Sequence, residues 1–304
     1  MNIKKAVSHG LSLVALSCLA PLALSETHPV AINVAQQVST LQDSYDRLLP
    51  LEGGSNFRDL GGYKTEDDKY VKRGMLFRSG AMTTLSETDQ AYLQRFGFQS
   101  VLDLRSDEEL ELFPNQWAKN AELDYLRHDY SFRNLAANFS QSSGEIPSME
   151  VFYTAFPQFL KPQLKIYFDS LLNRDVPMVV NCSAGQDRTG FASAMVLSAL
   201  GVPRDTVIRD YLLSTEFRRP KNEFGDVNLE EAAKTNSFAA MMMQYKDKAG
   251  DEPGPLYTED GTPFIVFALN AIDDQYGGVE NYLASEIGVD KKDLKKLRKY
   301  YLEK

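Results

Sequence analysis

The sequence predicts an α/β fold, a sheet flanked by helices, with a helical extension at its C-terminal end. Short apolar runs bounded by Pro or Gly, of which 177–180 is the clearest, have the length of buried strands. Longer stretches alternate with them and carry apolar residues at helical spacing, as at Leu160, Leu164, Tyr167, Phe168 and Leu171. From Phe264 onward only helical patterns remain.

Residues 1–25 differ in kind from the rest. Lys4 and Lys5 open them, 11–24 is an apolar core too short to span a bilayer comfortably, and Ala23-Leu24-Ser25 is a small-residue cleavage pattern. They read as a secretory signal peptide cut after Ser25, which makes the mature chain secreted or periplasmic, with no integral membrane segment. An uncleaved anchor would want a stop-transfer flank, and a lipoprotein signal through Cys18 would want Leu where Ala15-Leu16-Ser17 lacks it. Cleavage removes Cys18, leaving Cys182 without a disulfide partner; a solitary Cys in an oxidising compartment suits a working thiol.

Residues 26–50 form a polar lead-in, and the domain proper runs over 51–304. Turns at Gly53-Gly54 and Gly61-Gly62 bracket its first block. Ser86-Glu87-Thr88-Asp89 caps a helix whose apolar positions Tyr92, Leu93 and Phe96 end at Gly97. A strand over 98–104, a short helix over 108–113 and a strand over 123–126 follow, with His128-Asp129-Tyr130 in the loop beyond. One helix is expected over 153–173, the apolar strand at 177–180, and a buried helix over 189–200 stopped by Gly201 and Pro203. Residues 205–213 and 228–245 are helical, and 250–261 is a Pro/Gly-rich loop. Together 217–263 suit a lid or insertion, with Met241-Met242-Met243 as core filling or as its lining. Helices at 264–276 and 279–287, and a last one capped by Asp290, complete the chain.

The chemistry concentrates between the 177–180 strand and the helix after it, in Asn181-Cys182-Ser183-Ala184-Gly185-Gln186-Asp187-Arg188-Thr189-Gly190. A loop joining a strand end to a helix start holds N–H groups without helical partners at the positive end of the helix dipole, where they can converge on a dianion. Gly185 lets the backbone curl. Cys182 lies at the base of this ring, in a field that favours the thiolate. Arg188, six positions on, can return its planar fork to two phosphate oxygens, and Thr189 or Ser183 can offer the sulfur a hydroxyl.

This stretch resembles the signature of protein tyrosine and dual-specificity phosphatases. It is most similar to the atypical branch of secreted bacterial tyrosine and lipid phosphatases, whose loop usually reads His-Cys-x-Ala-Gly-Lys-Asp-Arg-Thr-Gly. Blocks at 56–63, 73–80 and 101–106, and Tyr276-Gly277-Gly278 with Tyr282-Leu283, are similar to the same family. The resemblance implies a protein-tyrosine-phosphatase-like sheet over nearly all of the chain after Leu51. Two positions depart from it. Asn181 replaces the His, and its amide can keep a hydrogen bond to the loop; Gln186 replaces the Lys, which takes one positive charge from the pocket mouth and weakens the case for polyanionic substrates such as phosphoinositides.

The expected reaction is metal-independent and needs no cofactor: the Cys182 thiolate attacks a phosphomonoester in line, and water hydrolyses the phosphocysteine. Ser183, Ala184, Gly185, Gln186, Asp187, Arg188 and Thr189 hold the phosphate. Three carboxylates can protonate the leaving oxygen. The resemblance favours Asp187 and Asp103; the usual placement of the acid on a separate loop favours Asp129; Asp187 ranks first. Asp187 can instead brace the loop against Arg58 or Arg78, themselves read as extra cations or as structural ion pairs. The net charge of -9 argues against nucleic acid or an anionic membrane as partner. A phosphorylated protein, foremost a phosphotyrosine protein, or a small phosphoester remains the substrate, with a phosphoinositide or inositol phosphate as the alternative. A phosphate-binding module with little turnover is the reading from another class.

Overall fold

The computed structural model describes residues 47–134, 148–245 and 253–304. The expected signal at 1–25 and the lead-in up to residue 46 lie outside the described residues.

Strands β1 (Arg58–Asp59), β2 (Tyr70–Val71), β3 (Leu76–Ser79), β4 (Ser100–Asp103), β5 (Asp124–Arg127), β6 (Met178–Asn181) and β7 (Leu302–Glu303) form two sheets. The larger has the order β1-β3-β6-β4-β5, and β2 pairs with β7 in the smaller. Strands β3, β6, β4 and β5 run parallel, whereas β1 pairs antiparallel with β3 at the edge. The lead-in ends along that edge, where Asp59 N–H donates to the Arg47 carbonyl and Leu49 N–H to that of Phe57, both at 3.0 Å. β6 is therefore central and buried on both faces, which is why its first three residues, Met178, Val179 and Val180, are all apolar. Its side chains alternate: Met178 and Val180 join the larger core and Val179 the smaller one.

The smaller core lies under α1 (Glu87–Gln94) and includes Trp117, from α3 (Gln116–Asn120). Between these helices α2 (Asp107–Leu112) starts at Ser106, whose hydroxyl accepts from Glu109 N–H while the Glu109 carboxylate accepts from Ser106 N–H, a reciprocal cap. The larger core is covered by α4 (Met149–Phe159), α5 (Lys161–Asn173), α6 (Arg188–Ala199) and α7 (Arg204–Leu212). The single helix expected over 153–173 is two, broken at Leu160, with Pro162 in the first turn of α5, where a missing N–H leaves no helical bond unmade.

The 228–245 stretch also divides, after α8 (Ser214–Phe217), into α9 (Leu229–Ala232) and α10 (Ser237–Tyr245). The first stops at Ala232 and Asn236 starts the second: its Oδ1 accepts from Phe238 and Ala239 N–H at 3.0 and 3.1 Å, and its Nδ2 donates to the Glu108 carbonyl at 2.9 Å. That bond ties α10 to α2, and Met241, Met242 and Met243 are half-buried along it. The C-terminal extension is α11 (Phe264–Tyr276), α12 (Val279–Tyr282), a π-helical turn at Leu283–Ile287, and α13 (Lys291–Tyr301), capped by Asp290. Two-residue strands such as β1, β2 and β7 leave no periodic signature, which is why the residue pattern alone missed them.

Candidate active site

The carboxyl ends of the parallel strands are where an α/β sheet presents its functional loops, and Cys182 directly follows the central one. Leu104 N–H donates to the Asn181 carbonyl at 2.8 Å, fixing the strand end. Cys182 is buried at 1% exposure, and α6 begins six residues later at Arg188.

Between them the loop carbonyls are held from outside. Ala81 N–H donates to the Ser183 carbonyl at 2.8 Å, Asn56 Nδ2 to the carbonyls of Ala184 and Gly185 at 3.3 and 2.8 Å, and Arg78 Nη2 to that of Gly185 at 2.6 Å. With the carbonyls turned outward, the amides of Ser183 to Arg188 find no protein acceptor among the described residues and are left for an anion. Gly185 has φ +66°, and a Cβ there would stand 2.4 Å from Gly80 N, so the curl needs glycine on both counts.

Arg188 is aimed by a residue the sequence reasoning missed. The fully buried Glu109 carboxylate accepts from its Nη1 and Nη2, each at 2.7 Å, and Tyr130 Oη and the Leu104 carbonyl take further Nη1 contacts at 2.7 and 3.2 Å. Nε and the second Nη2 hydrogen remain without a protein acceptor among the described residues, the paired donors a phosphate needs. Burial opposes ionisation of Glu109, but Arg188 and the Ser183 hydroxyl outweigh it and hold the carboxyl below the ordinary glutamate range. The Ser183 hydroxyl donates to Glu109 at 2.5 Å and is thus drawn away from the sulfur; that of Thr189 is buried without a partner among the described residues. The signal for Glu109 was local, the Ser106-Asp107-Glu108-Glu109 cap.

Asp187 is partly exposed beside Arg188, and the buried Tyr153 hydroxyl donates to its Oδ1 at 2.5 Å. Burial and the Asp187 charge push that hydroxyl well above the ordinary tyrosine value, so it stays a donor. With its one proton on Asp187, Tyr153 accepts from Tyr211, 2.6 Å away. Gln186 Nε2 lies 3.4 Å from the same Oδ1, which leaves Oδ2 without a donor among the described residues.

The other two carboxylates are placed differently. Asp103 has 0% exposure and accepts from Arg105 Nε and Nη2, Arg105 N–H and Tyr125 Oη, at 2.6 to 3.1 Å. Burial works against its charge, but Arg105 and Tyr125 hold it below the usual carboxylate range, so it braces the end of β4 and has no proton to give. The Asp129 side chain is 78% exposed and pairs with Arg127 Nε at 2.7 Å.

Arg58 and Arg78 do not meet Asp187. Both are fully buried on Asp210, at 3.3 and 2.6 Å, with Tyr63 Oη on the same carboxylate at 2.9 Å. Burial and repulsion from Arg78 lower Arg58 to about 10, and the two arginines carry Asp210 down to about 2 against its own burial. Their role is structural: they frame the loop through Asn56 and Gly185. The side-chain amide of Asn181 is buried and makes no hydrogen bond among the described residues, so the expected bond to the loop is not formed; the loop carbonyls are held instead by Asn56, Arg78 and Ala81.

Gln186 has a neighbour that its sequence context did not suggest. Arg218 Nη1 donates to its Oε1 at 2.7 Å, while Arg218 Nε and Nη2 hold the buried Glu223 carboxylate at 2.9 and 2.8 Å. The charge absent from position 186 is thus met by a guanidinium from the segment after α8.

The profile of a family described as "Tyrosine phosphatase family" matches residues 49–303. The chain is similar to the "Triple specificity protein phosphatase PtpB" of Mycobacterium tuberculosis, 27% identical over 276 residues, covering 82% of this chain and 96% of the relative. It is also similar to a "Tyrosine-protein phosphatase" of Nostoc commune, 26% identical over 231 residues, covering 73% and 72%. The solved structure of P. aeruginosa TpbA in complex with pTyr superposes loosely, with a TM-score of 0.31 and 14% identity over 56% of this chain and 90% of that one.

Proposed function

This chain belongs to the tyrosine phosphatase family, and on that premise we propose that it hydrolyses phosphomonoesters through a phosphocysteine at Cys182, with protein phosphotyrosine as its principal substrate. The single observation that carries the mechanism is the pinning of the Ser183, Ala184 and Gly185 carbonyls from outside the loop, which leaves the amides of Ser183 to Arg188 without a protein acceptor among the described residues, free to meet an anion beside a buried thiol. The phosphate's bridging oxygen leaves opposite the sulfur, and Arg188 and the amides neutralise the equatorial oxygens as the group flattens. Asp187 supplies the leaving-group proton from Oδ2, held in direction by Tyr153, and then takes a proton from the water that breaks the thiophosphate bond. The M. tuberculosis relative, a "triple specificity" phosphatase by name, supports a specificity wider than phosphotyrosine alone.

The mature enzyme is proposed to act as a secreted or periplasmic protein after loss of residues 1–25, with 51–304 as its phosphatase domain; N-terminal sequencing of the exported chain tests this. Among the described residues no helix is long and apolar enough to cross a membrane. For the chemistry, the test is turnover of an aryl phosphate and a phosphotyrosine peptide by wild type, Cys182→Ser and Arg188→Lys. Cys182→Ser abolishes turnover and the burst of phosphoenzyme, and Arg188→Lys, which keeps the charge but not the fork, comes close to it. Substantial turnover in Cys182→Ser would defeat the mechanism.

A further inference from the structure

Two arginines near the loop are mounted in the same way. Arg188 is paired with Glu109, which is fully buried and also accepts from the Ser183 hydroxyl at 2.5 Å. Arg218 is paired with Glu223, which is fully buried and also accepts from the Ser55 hydroxyl at 2.8 Å. The arginine side chains keep 15% and 14% exposure respectively, so each is held by a buried carboxylate without being sealed from solvent. Such a mount is expensive in desolvation and sets direction more than it stabilises. For Arg188 the direction serves the phosphate. Among the described residues, Arg218 contacts the phosphate loop only through the Gln186 side chain.

The neighbours of Arg218 locate its open face. Nη1 rests on Gln186, a residue of the phosphate loop, and one hydrogen on each of Nη1 and Nη2 has no protein acceptor among the described residues. Although burial would lower it, Glu223, Asp187 and Cys182 raise Arg218 above the ordinary arginine value, which puts the guanidinium within electrostatic reach of both the proton donor and the nucleophile. The identity of residue 186 follows from the same contact: a lysine there would set an ammonium against the guanidinium, whereas the glutamine oxygen accepts from it. The opposite face of Gln186 reaches Asp187, so one amide joins the second arginine to the phosphate loop.

We propose that Arg218 is a second anion clamp of this pocket, taking a phosphoryl group that lies beside the one being cleaved, and that it thereby selects substrates carrying two phosphoryl groups close together. The proposal rests on the loop being the phosphate site. It reverses the expectation that Gln186 disfavours polyanions, because the cation has moved from the loop to Arg218 and has acquired a planar fork in doing so.

The test uses Cys182→Ser, which cannot turn over, titrated calorimetrically with inorganic phosphate and with pyrophosphate. The ratio of the two affinities is the readout. In this parent, pyrophosphate binds about tenfold to hundredfold more tightly, the range of one added charge-assisted contact. Adding Arg218→Gln together with Glu223→Gln removes one charge of each sign and leaves net charge unchanged, so a collapse of the ratio to a few-fold reports the clamp and not the overall field. Arg218→Lys in the same parent, which keeps the pair with Glu223, covers the case in which the paired replacement no longer folds, and its ratio falls too. Phosphate binding with an unchanged ratio in the variants would overturn the clamp alone. Absence of phosphate binding in the parent would take the phosphatase reading down with it.

Discussion

Replacing Glu109 by Gln isolates what a buried carboxylate does for Arg188. The carboxylate accepts four hydrogen bonds, two from Arg188 at 2.7 Å, one from the Ser183 hydroxyl at 2.5 Å and one from Ser106 N–H at 2.8 Å. An amide of the same shape keeps one oxygen and turns an NH₂ toward groups that are themselves donors. Removing one member of a buried pair costs about 3–5 kcal/mol, because the other charge stays buried alone. Against a total of about 5–15 kcal/mol for a domain, that is a large fall in melting temperature, with the fold retained. Arg188 loses its aim as well, and a misdirected oxyanion donor lowers kcat by about 10²–10³. The pH dependence has a definite sign. Glu109 is held below its ordinary value near 4.5, so its contribution is complete above that value and is lost as pH falls through the folded one; the variant's acid limb of stability is correspondingly flatter. Phosphate, supplying Arg188 with a new counter-charge, raises the variant's melting temperature more than the wild type's. Calorimetric melting from pH 7 to pH 3, with and without phosphate, alongside aryl phosphate turnover, makes the measurement. Wild-type stability and kcat in Glu109→Gln would refute the assignment of Glu109 as the residue that aims Arg188.

Asp210→Asn leaves Arg58 and Arg78 buried on a neutral amide and costs about 3–5 kcal/mol; since Asp210 is carried down to about 2, its contribution is present above the ordinary aspartate value of 3.8 and vanishes as pH falls through about 2, which melting against pH will follow. Gly185→Ala forces a left-handed residue, about 1–2 kcal/mol, and a Cβ 2.4 Å from Gly80 N, so phosphate affinity measured by titration falls sharply together with stability. Tyr153→Phe removes only the hydroxyl that orients Asp187, so kcat falls about tenfold or more with an alkyl phosphate and little with a nitrophenyl phosphate, whose leaving group needs no proton; an equal fall with both would mean that Tyr153 is structural only.

What the sequence made legible is local. Cys182, Gly185 and Arg188 fall in one short loop, a spacing that lets a thiol, a left-handed bend and a guanidinium surround the proposed anion, and the strand before and helix after follow from uninterrupted apolar runs. Helix starts with side-chain caps, at Ser86 and Asp290, were equally clear. What aims the loop was not, because contacts between distant segments leave no periodicity: Glu109 stands 79 positions before Arg188, Tyr153 34 before Asp187, and Arg218 32 after Gln186. Asp103 misled for a related reason. A carboxylate at a strand end looks available until the arginine two residues on, which shares its turn, is seen to cover it.

The acidic chain resolves its own paradox through these pairs. A net charge of -9 would repel a phosphate dianion if its negative groups faced the pocket. Instead Glu109, Asp210 and Glu223 lie behind arginines, at 0 to 2% side-chain exposure. Since buried ion pairs contribute little or nothing to stability relative to apolar packing, three of them around one loop are better accounted for by the directions they impose. Asp210 sets the two arginines that frame the loop, Glu109 sets the one proposed to meet the scissile phosphate, and Glu223 sets the one proposed to meet a second phosphoryl group. An arginine held in place before the substrate arrives needs little reorganisation when charge develops, and that is where such a site gains its rate.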